Sequence, residues 1–507
     1  MKMENGKWKM ENKLKKSLSF CVSAAIFLSF AFNVFAQEMP PKPSAPKIAI
    51  IPAVKEKKLA NGLTVAVVER KNVPLVTIQL LVKSGASSEN MNQAGLANMT
   101  TSLLTKGTTT RSATEIAEQM EFLGGSINTG AGWNNSNVIV NVMSDKLDQA
   151  LTIMSDVVLN PTFKQEEIDL LKSQTLDNLN YNLKQPGFLA SYIASRYSFN
   201  EHPAGGTPSS INAITRQDIV DFHAGNFYPS DSVLIFTGDI TQAKANLLAQ
   251  KYFGKWKPQT NVKTILGDAN SSDYGMTSKS TMSQKDKPVT VRRILVVDLP
   301  NSGQASVNYL NKASVGRSGK DFYPASVLNS VLGGGYSSRL NQEIRIKRGL
   351  SYGAGSSFAW RAGQTNFGTR TQTKNESAAE VAELVLAEVS KLTDTSVSSE
   401  ELSPRKLVLM GDFGRDLETT QGLAGAVAEL YSFGLPTTEL NAYMKNVQGI
   451  TDAQIRNFAQ SNILGGDIII VGDAKIFMKD LKKRFPNKEI DVIKADELDL
   501  SRANLRK

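Results

Sequence analysis

Histidine and cysteine are nearly absent from this chain of 507 residues, which has two of the former and one of the latter. His202 and His223 form no pair at helical spacing, and neither belongs to an H-E-x-x-H run. No zinc cluster can therefore be assembled from imidazoles. Asp and Glu could hold a hard cation, but no calcium-loop pattern is present. Cys21 lies in an N-terminal apolar run, and no other thiol is available for a nucleophile, a metal or a disulfide. A G-x-S-x-G elbow is missing as well, which removes the common serine-hydrolase signature. Both histidines read as structural or surface residues rather than general bases. Charge is not concentrated either. The net charge is +10, but six Lys and two Glu in the first 36 residues carry part of it, and the rest is dispersed. No basic stripe suited to nucleic acid results.

What is present starts at the N-terminus. Lys13, Lys15 and Lys16 precede an apolar run over 20–35, and Val34-Phe35-Ala36 leads into Gln37. A basic segment, an apolar segment and small residues at the end describe a secretory signal peptide over 1–36. The run is short for a bilayer span of about 20 residues, so no stable membrane insertion is expected after cleavage. The expected location is exported, with a Gram-negative periplasm its natural setting. Without cysteine, the exported chain must hold together by packing. Its 41 % apolar and 21 % charged residues are an ordinary globular balance.

Residues 37–57 are rich in Pro and Lys and read as an extended lead-in. Strands are expected at 63–69, 75–83 and 138–142, and helices at 94–104, 146–158 and 165–183. Ser112 or Thr114 can cap a further helix running to Gly124-Gly125. An internal repeat follows: AITRQDIVDFHAGNFYPSDSVLIFTGD from 213 and GITDAQIRNFAQSNILGGDIIIVGD from 449. Each gives Ile-Thr, a short amphipathic helix with Phe, a break, an apolar strand and Gly-Asp, which implies two similarly built halves. The expected class is α+β, with two homologous α/β-sandwich halves at 58–257 and 290–485. A polar linker at 258–289 and a peripheral charged tail at 486–507 complete the division.

Two features of the second half bear on chemistry. Gly333, Gly334 and Gly335 join an apolar helix to a more polar one; they could bring backbone amides close to a ligand, or simply permit a tight turn. Arg345-Ile-Lys-Arg348-Gly349-Leu350-Ser351-Tyr352 follows. Arg offers a rigid donor fork for a carbonyl or carboxylate, and Tyr a hydroxyl for a developing oxyanion. Surface charge and a core tyrosine are the plainer readings of the same residues.

Taken in order, LANGLTVAVVE (59–69), SGASSEN (84–90), AGLANMTTSLLTKGTTTRS (94–112), Pro161-Thr-Phe163, EHPAGG (201–206), GDI (238–240), FGKW (253–256) and the glycine, Arg and Tyr cluster resemble one family. It is the insulinase-like, or pitrilysin-type (M16), zinc peptidase superfamily, over about 55–485. The nearest pattern is that of the short bacterial members and the mitochondrial processing peptidase pair. The resemblance implies a clamshell of two halves enclosing peptide. Active members carry an inverted H-x-x-E-H motif and a distal Glu ligand. Here Asn98 and Ser102 stand at the two His positions, Thr101 at the base, and Asn178 at the distal Glu. An amide and a hydroxyl do not replace imidazoles on zinc, and Thr does not activate water. No metal is expected in this chain. In paired family members one subunit holds zinc while the other supplies an Arg and a Tyr, which Arg345 and Tyr352 match. The resemblance thus implies a catalytically incomplete subunit that positions peptide for a metal-bearing homologue in a heterodimer. Gly333, Gly334 and Gly335 would then assist substrate contact. A non-catalytic scaffold or chaperone-like peptide binder with the same fold is the alternative.

Overall fold

A computed structural model of the chain describes residues 51–257 and 291–507. The signal segment, most of the lead-in and the linker at 258–289 lie outside the described residues. Each half is built on a six-stranded sheet. The first contains β1 (Lys55–Lys58), β2 (Thr64–Glu69), β3 (Leu75–Val82), β4 (Ser126–Ala131), β5 (Ser136–Met143) and β6 (Ser232–Gly238), in the order β1-β2-β6-β3-β5-β4. The second contains β7 (Ile294–Asp298), β8 (Ala305–Ala313), β9 (Ala354–Trp360), β10 (Thr365–Thr373), β11 (Asp467–Gly472) and β12 (Ile490–Lys494), in the order β12-β7-β11-β8-β10-β9. Five of the six positions correspond, and in both halves a parallel pair (β2 with β6, β7 with β11) sits beside antiparallel hairpins.

The internal repeat is this correspondence seen locally. Thr215 and Thr451 each cap a helix through a capping box, with Asp218 and Gln454 as the reciprocal partners. Those helices, Arg216–Asn226 and Asp452–Asn462, lead directly into β6 and β11. The halves differ at one edge. β1 comes from the lead-in and pairs antiparallel, whereas β12 comes from the C-terminal segment and pairs parallel with β7. The expectation of a peripheral tail at 486–507 is therefore corrected. Ile493 and Leu505 are buried there, and the segment closes the second sheet because Ile493 and Leu505 add apolar side chains to one of its faces.

Several strands are apolar without alternation, and the packing explains why. Val65 and Val67 of β2 face the helices of their own half, while Ala66 and Val68 point the other way. In β11, Ile468 and Ile470 take one face, Ile469 and Val471 the other. Both faces are covered, as continuous apolar strands require. The cover on the far face comes from the opposite half. Helix Thr420–Ser432 of the second half lays Leu423, Ala424 and Val427 on the first sheet. Helix Pro186–Tyr197 of the first half lays Leu189, Ala190 and Ile193 on the second sheet. Each of these follows an 18-residue helix, Ser399–Asp416 and Gln165–Asn182 respectively. The two halves thus exchange equivalent helices. At roughly 1.5–3 kcal/mol for each large apolar side chain removed from water, the exchange opposes separation of the halves, and the described residues form one compact body.

Candidate functional site

Helix Phe322–Leu332 ends at Gly333, and the chain turns through Gly334 and Gly335 into a wider turn over Asn341–Ile346. That turn is π-helical: the Lys347 amide donates to the Gln342 carbonyl five residues back, at 2.9 Å. Such turns often occur at functional sites. Arg345 lies on it, with its guanidinium over the Tyr336 ring at 5.1 Å. Arg345, Gly333, Gly335 and Tyr336 line a cavity of about 720 Å³, together with β9, part of β10 and the first-half residues Ser191, Ser195 and Glu201. Tyr352 is not in this lining. It is 90 % exposed, immediately before Gly353, which does line it.

The three glycines serve different ends. A Cβ on Gly333 would sit 2.2 Å from the Ser356 amide nitrogen, and the Gly333 carbonyl accepts from that same amide at 3.2 Å. Gly333 is thus set by close approach to β9, whose outer edge it covers. Gly334 abuts Ser330 and Asn329, whereas Gly335 has open space around its Cβ direction. Among the three, Gly335 alone has a position that packing does not require.

The positions that the resemblance assigns to the family's metal residues lie elsewhere, on helix Leu96–Leu103 and helix Gln165–Asn182. None of the four lines the cavity. Asn98 donates through Nδ2 to the Ala204 carbonyl at 2.7 Å. Thr101 is fully buried and donates to the Ala97 carbonyl at 2.9 Å. Ser102 is half-buried and Asn178 exposed. Zinc needs imidazole, thiolate or carboxylate donors. Two amides and two hydroxyls do not fit it, and two of the four are already committed to backbone carbonyls. Among the described residues, no group of three His, Cys, Asp or Glu could hold a metal ion.

Sequence reasoning passed over what holds that helix. The side chain of Glu89 is wholly buried and accepts from the Gly95 and Ala97 amides, at 3.0 and 2.5 Å, at the start of helix Leu96–Leu103. It stands 3.6 Å from His202 Nδ1. Burial pushes the Glu89 carboxyl up to about 8, against the pull of those two amides. Burial also holds His202 below its usual value, while the Pro203 and Ala86 carbonyls and the Glu201 charge oppose this. Near neutral pH the contact therefore joins two uncharged groups. His223 is half-buried, bonded to the Val158 carbonyl at 3.0 Å and driven down to about 4 by desolvation. Both histidines are structural. Glu89 and His202 fall within SGASSEN and EHPAGG, but their sequence separation hides the contact.

From His202 a chain of contacts runs into the second half. Its ring lies 5.0 Å from that of Trp133, which in turn lies 4.7 Å from the Arg361 guanidinium. Arg361, Gln364 and Asn366 all donate to Glu201, at 3.2, 3.2 and 2.9 Å. Nearby, Asp467 accepts from Arg292, Arg293 and the Ser198 hydroxyl. Burial opposes its ionisation, but hydrogen bonds from the two arginines hold its carboxyl below the usual range.

With this fold and site in view, the comparisons with known proteins agree. Residues 64–196 match the model for the insulinase (M16) peptidase family, and residues 213–407 that for the peptidase M16 inactive domain. The chain belongs to the M16 peptidase family. An uncharacterized zinc protease of Rickettsia felis is 26 % identical over 432 residues, covering 83 % of this chain and 98 % of that protein. The non-peptidase homolog YmxG of Helicobacter pylori is 24 % identical, covering 79 % and 90 %. The crystal structure of a peptidase M16 inactive domain from Pseudomonas fluorescens superimposes with a TM-score of 0.72 at 25 % identity, covering 83 % of this chain and 98 % of that one. The inactive-domain match and the non-peptidase relative point to a catalytically incomplete M16 member.

Proposed function

We propose that this chain is the metal-free, substrate-positioning subunit of an exported two-subunit zinc peptidase. Its partner is a family homologue that carries the complete ligand set and the zinc. The carrying observation is an asymmetry: the first half has neutral side chains where the family places metal chemistry, while Arg345 in the second half has no hydrogen-bonding or ionic side-chain partner among the described residues and faces a cavity. In this reading Arg345 donates to a peptide carbonyl and fixes an extended segment. Tyr352, exposed beside the cavity mouth, donates to the carbonyl oxygen as it gains charge at the partner's site. The non-peptidase name of the Helicobacter relative supports the division of labour, and the signal segment supports export to a periplasm.

The test measures hydrolysis of an unstructured fluorogenic peptide by the mature chain alone and mixed with its metal-bearing homologue, with zinc quantified in each. The expected result is no stoichiometric zinc and no cleavage by this chain alone, but a raised rate in the mixture. Tyr352→Phe then lowers kcat by about 10²-fold, the usual effect of removing one oxyanion donor, with peptide affinity unchanged. A mixture no faster than the homologue alone supports the scaffold reading instead. Zinc-dependent cleavage by the isolated chain would overturn both.

A further inference from the structure

The cavity has an unbalanced charge. Among the described residues three arginines line it, Arg345, Arg361 and Arg370, against a single carboxylate, Glu201. Glu201 is 7 % exposed and already accepts from Arg361, Gln364 and Asn366. Arg361 is therefore neutralised within the wall. Arg345 and Arg370 are not: among the described residues neither side chain has a hydrogen-bond or ion-pair partner, and Arg345 is only stacked on Tyr336. That stacking restricts the side chain before any ligand arrives, which reduces the entropy lost on binding. A second observation points to a ligand. Asn366 is 5 % exposed and lines the cavity, and its Oδ1 has no hydrogen-bond partner although its Nδ2 is held by Glu201. A buried acceptor without a donor is costly, and a ligand N–H would satisfy it.

We infer that this cavity selects peptides that carry carboxylates, with Arg370 receiving the anionic group, Arg345 adding a second unpaired cation beside the carbonyl it holds, and Asn366 Oδ1 accepting from a peptide N–H. The inference rests on the peptide-positioning reading and adds the chemical class of the peptide. The volume, about 720 Å³, lies in the range of sites for short ligands and suits a few extended residues rather than a folded domain. The recognised group is a carboxylate, supplied either by Asp and Glu side chains or by a free C-terminus. Inorganic anions would satisfy the arginines but leave Asn366 Oδ1 orphaned.

The experiment uses the full mature chain and fluorescein-labelled unstructured decapeptides, read by anisotropy at about 0.05 and 0.3 M salt, where the Debye length contracts. One peptide has two central Asp and a free C-terminus; matched versions replace Asp with Asn, amidate the C-terminus, or do both. The expected preference for the fully acidic peptide over the neutral one is about tenfold at low salt, the contribution of one charge-assisted hydrogen bond, and shrinks at high salt. The singly altered peptides assign the preference to side chains or terminus. Arg370→Gln, at an exposed position where the fold tolerates change, should abolish most of the preference, and Arg370→Lys should retain part of it. Equal binding of acidic and neutral peptides, or an unchanged preference in Arg370→Gln, overturns the inference and leaves peptide binding intact. Failure to bind any of the peptides overturns both.

Discussion

Glu89→Gln tests whether the helix that matches the family's metal helix is now held by a buried neutral carboxyl. In the folded chain that carboxyl is raised from 4.5 to about 8. Folded chains thus retain its proton at pH values where unfolded chains have lost it, and stability must fall as pH rises through that window. His202 acts in the opposite sense: its lowered value makes the unfolded chain the better proton binder below about 6.5, so it costs stability as pH falls. Below pH 6.5 the two effects oppose each other; above it Glu89 acts alone. At about 1.4 kcal/mol per pH unit, the fall between pH 6.5 and 8 is roughly 2 kcal/mol. The Gln variant cannot ionise and loses this slope. It is also less stable at pH 6.5 by about 1–3 kcal/mol, because its NH2 group must face one of the two backbone amides that Glu89 now accepts from. Urea unfolding at half-unit pH steps from 6 to 8.5 measures both effects. The same slope in Glu89→Gln as in the parent would refute the assignment of that proton to Glu89.

Gly333→Ala should lower stability by about 1–3 kcal/mol, since its Cβ would meet the β9 backbone at 2.2 Å. Gly335→Ala, with open space around it, should stay within about 0.5 kcal/mol, and urea midpoints of the two variants separate a packing glycine from a free one. Asp467→Ala leaves two guanidiniums and the Ser198 hydroxyl without their shared acceptor. The loss should be about 2–3 kcal/mol, less than for a fully buried pair because both arginines are nearly half exposed. Because the Asp467 carboxyl is held below its usual value of 3.8, its contribution is present above that value and is lost as pH falls through the lower folded one, so the alanine variant should be less acid-sensitive than the parent.

The parts of the fold legible in sequence were those fixed by local chemistry. Ser112 forms a capping box with Glu115, as its position ahead of an amphipathic run predicts. The strands expected at 63–69 and 75–83 appear at Thr64–Glu69 and Leu75–Val82. The Ile-Thr repeat marked two equivalent helix-strand units because a cap, an apolar face and a buried strand are each encoded within a few residues. Helix exchange was not legible: Leu189 and Leu423 give ordinary apolar faces, and nothing local says which sheet they cover. The same limit applied to the tail, whose charged residues concealed Ile493 and Leu505. At the site, Arg345 was singled out by its chemistry, but its company was not. Glu201, Arg361 and Asn366 come from distant stretches, and Arg370 lies on a strand whose pattern carries no signal for a cavity.

The stretch 197–206 connects the two parts of the molecule that sequence reasoning treated separately. Glu201 is gripped by the second half in the cavity wall, while His202, next in the chain, contacts Glu89 at the start of helix Leu96–Leu103. Ala204 accepts from Asn98 on that helix, and Gly206 packs against Gly95, where a Cβ would lie 3.0 Å from its Cα. The helix thus fixes one side of the loop and the cavity the other. A histidine at position 98 would give up the amide bond to Ala204, and a carboxylate at position 101 would stand at a fully buried site. Asn98 thus ties the loop to the helix on one side, while Arg361, Gln364 and Asn366 hold Glu201 on the other.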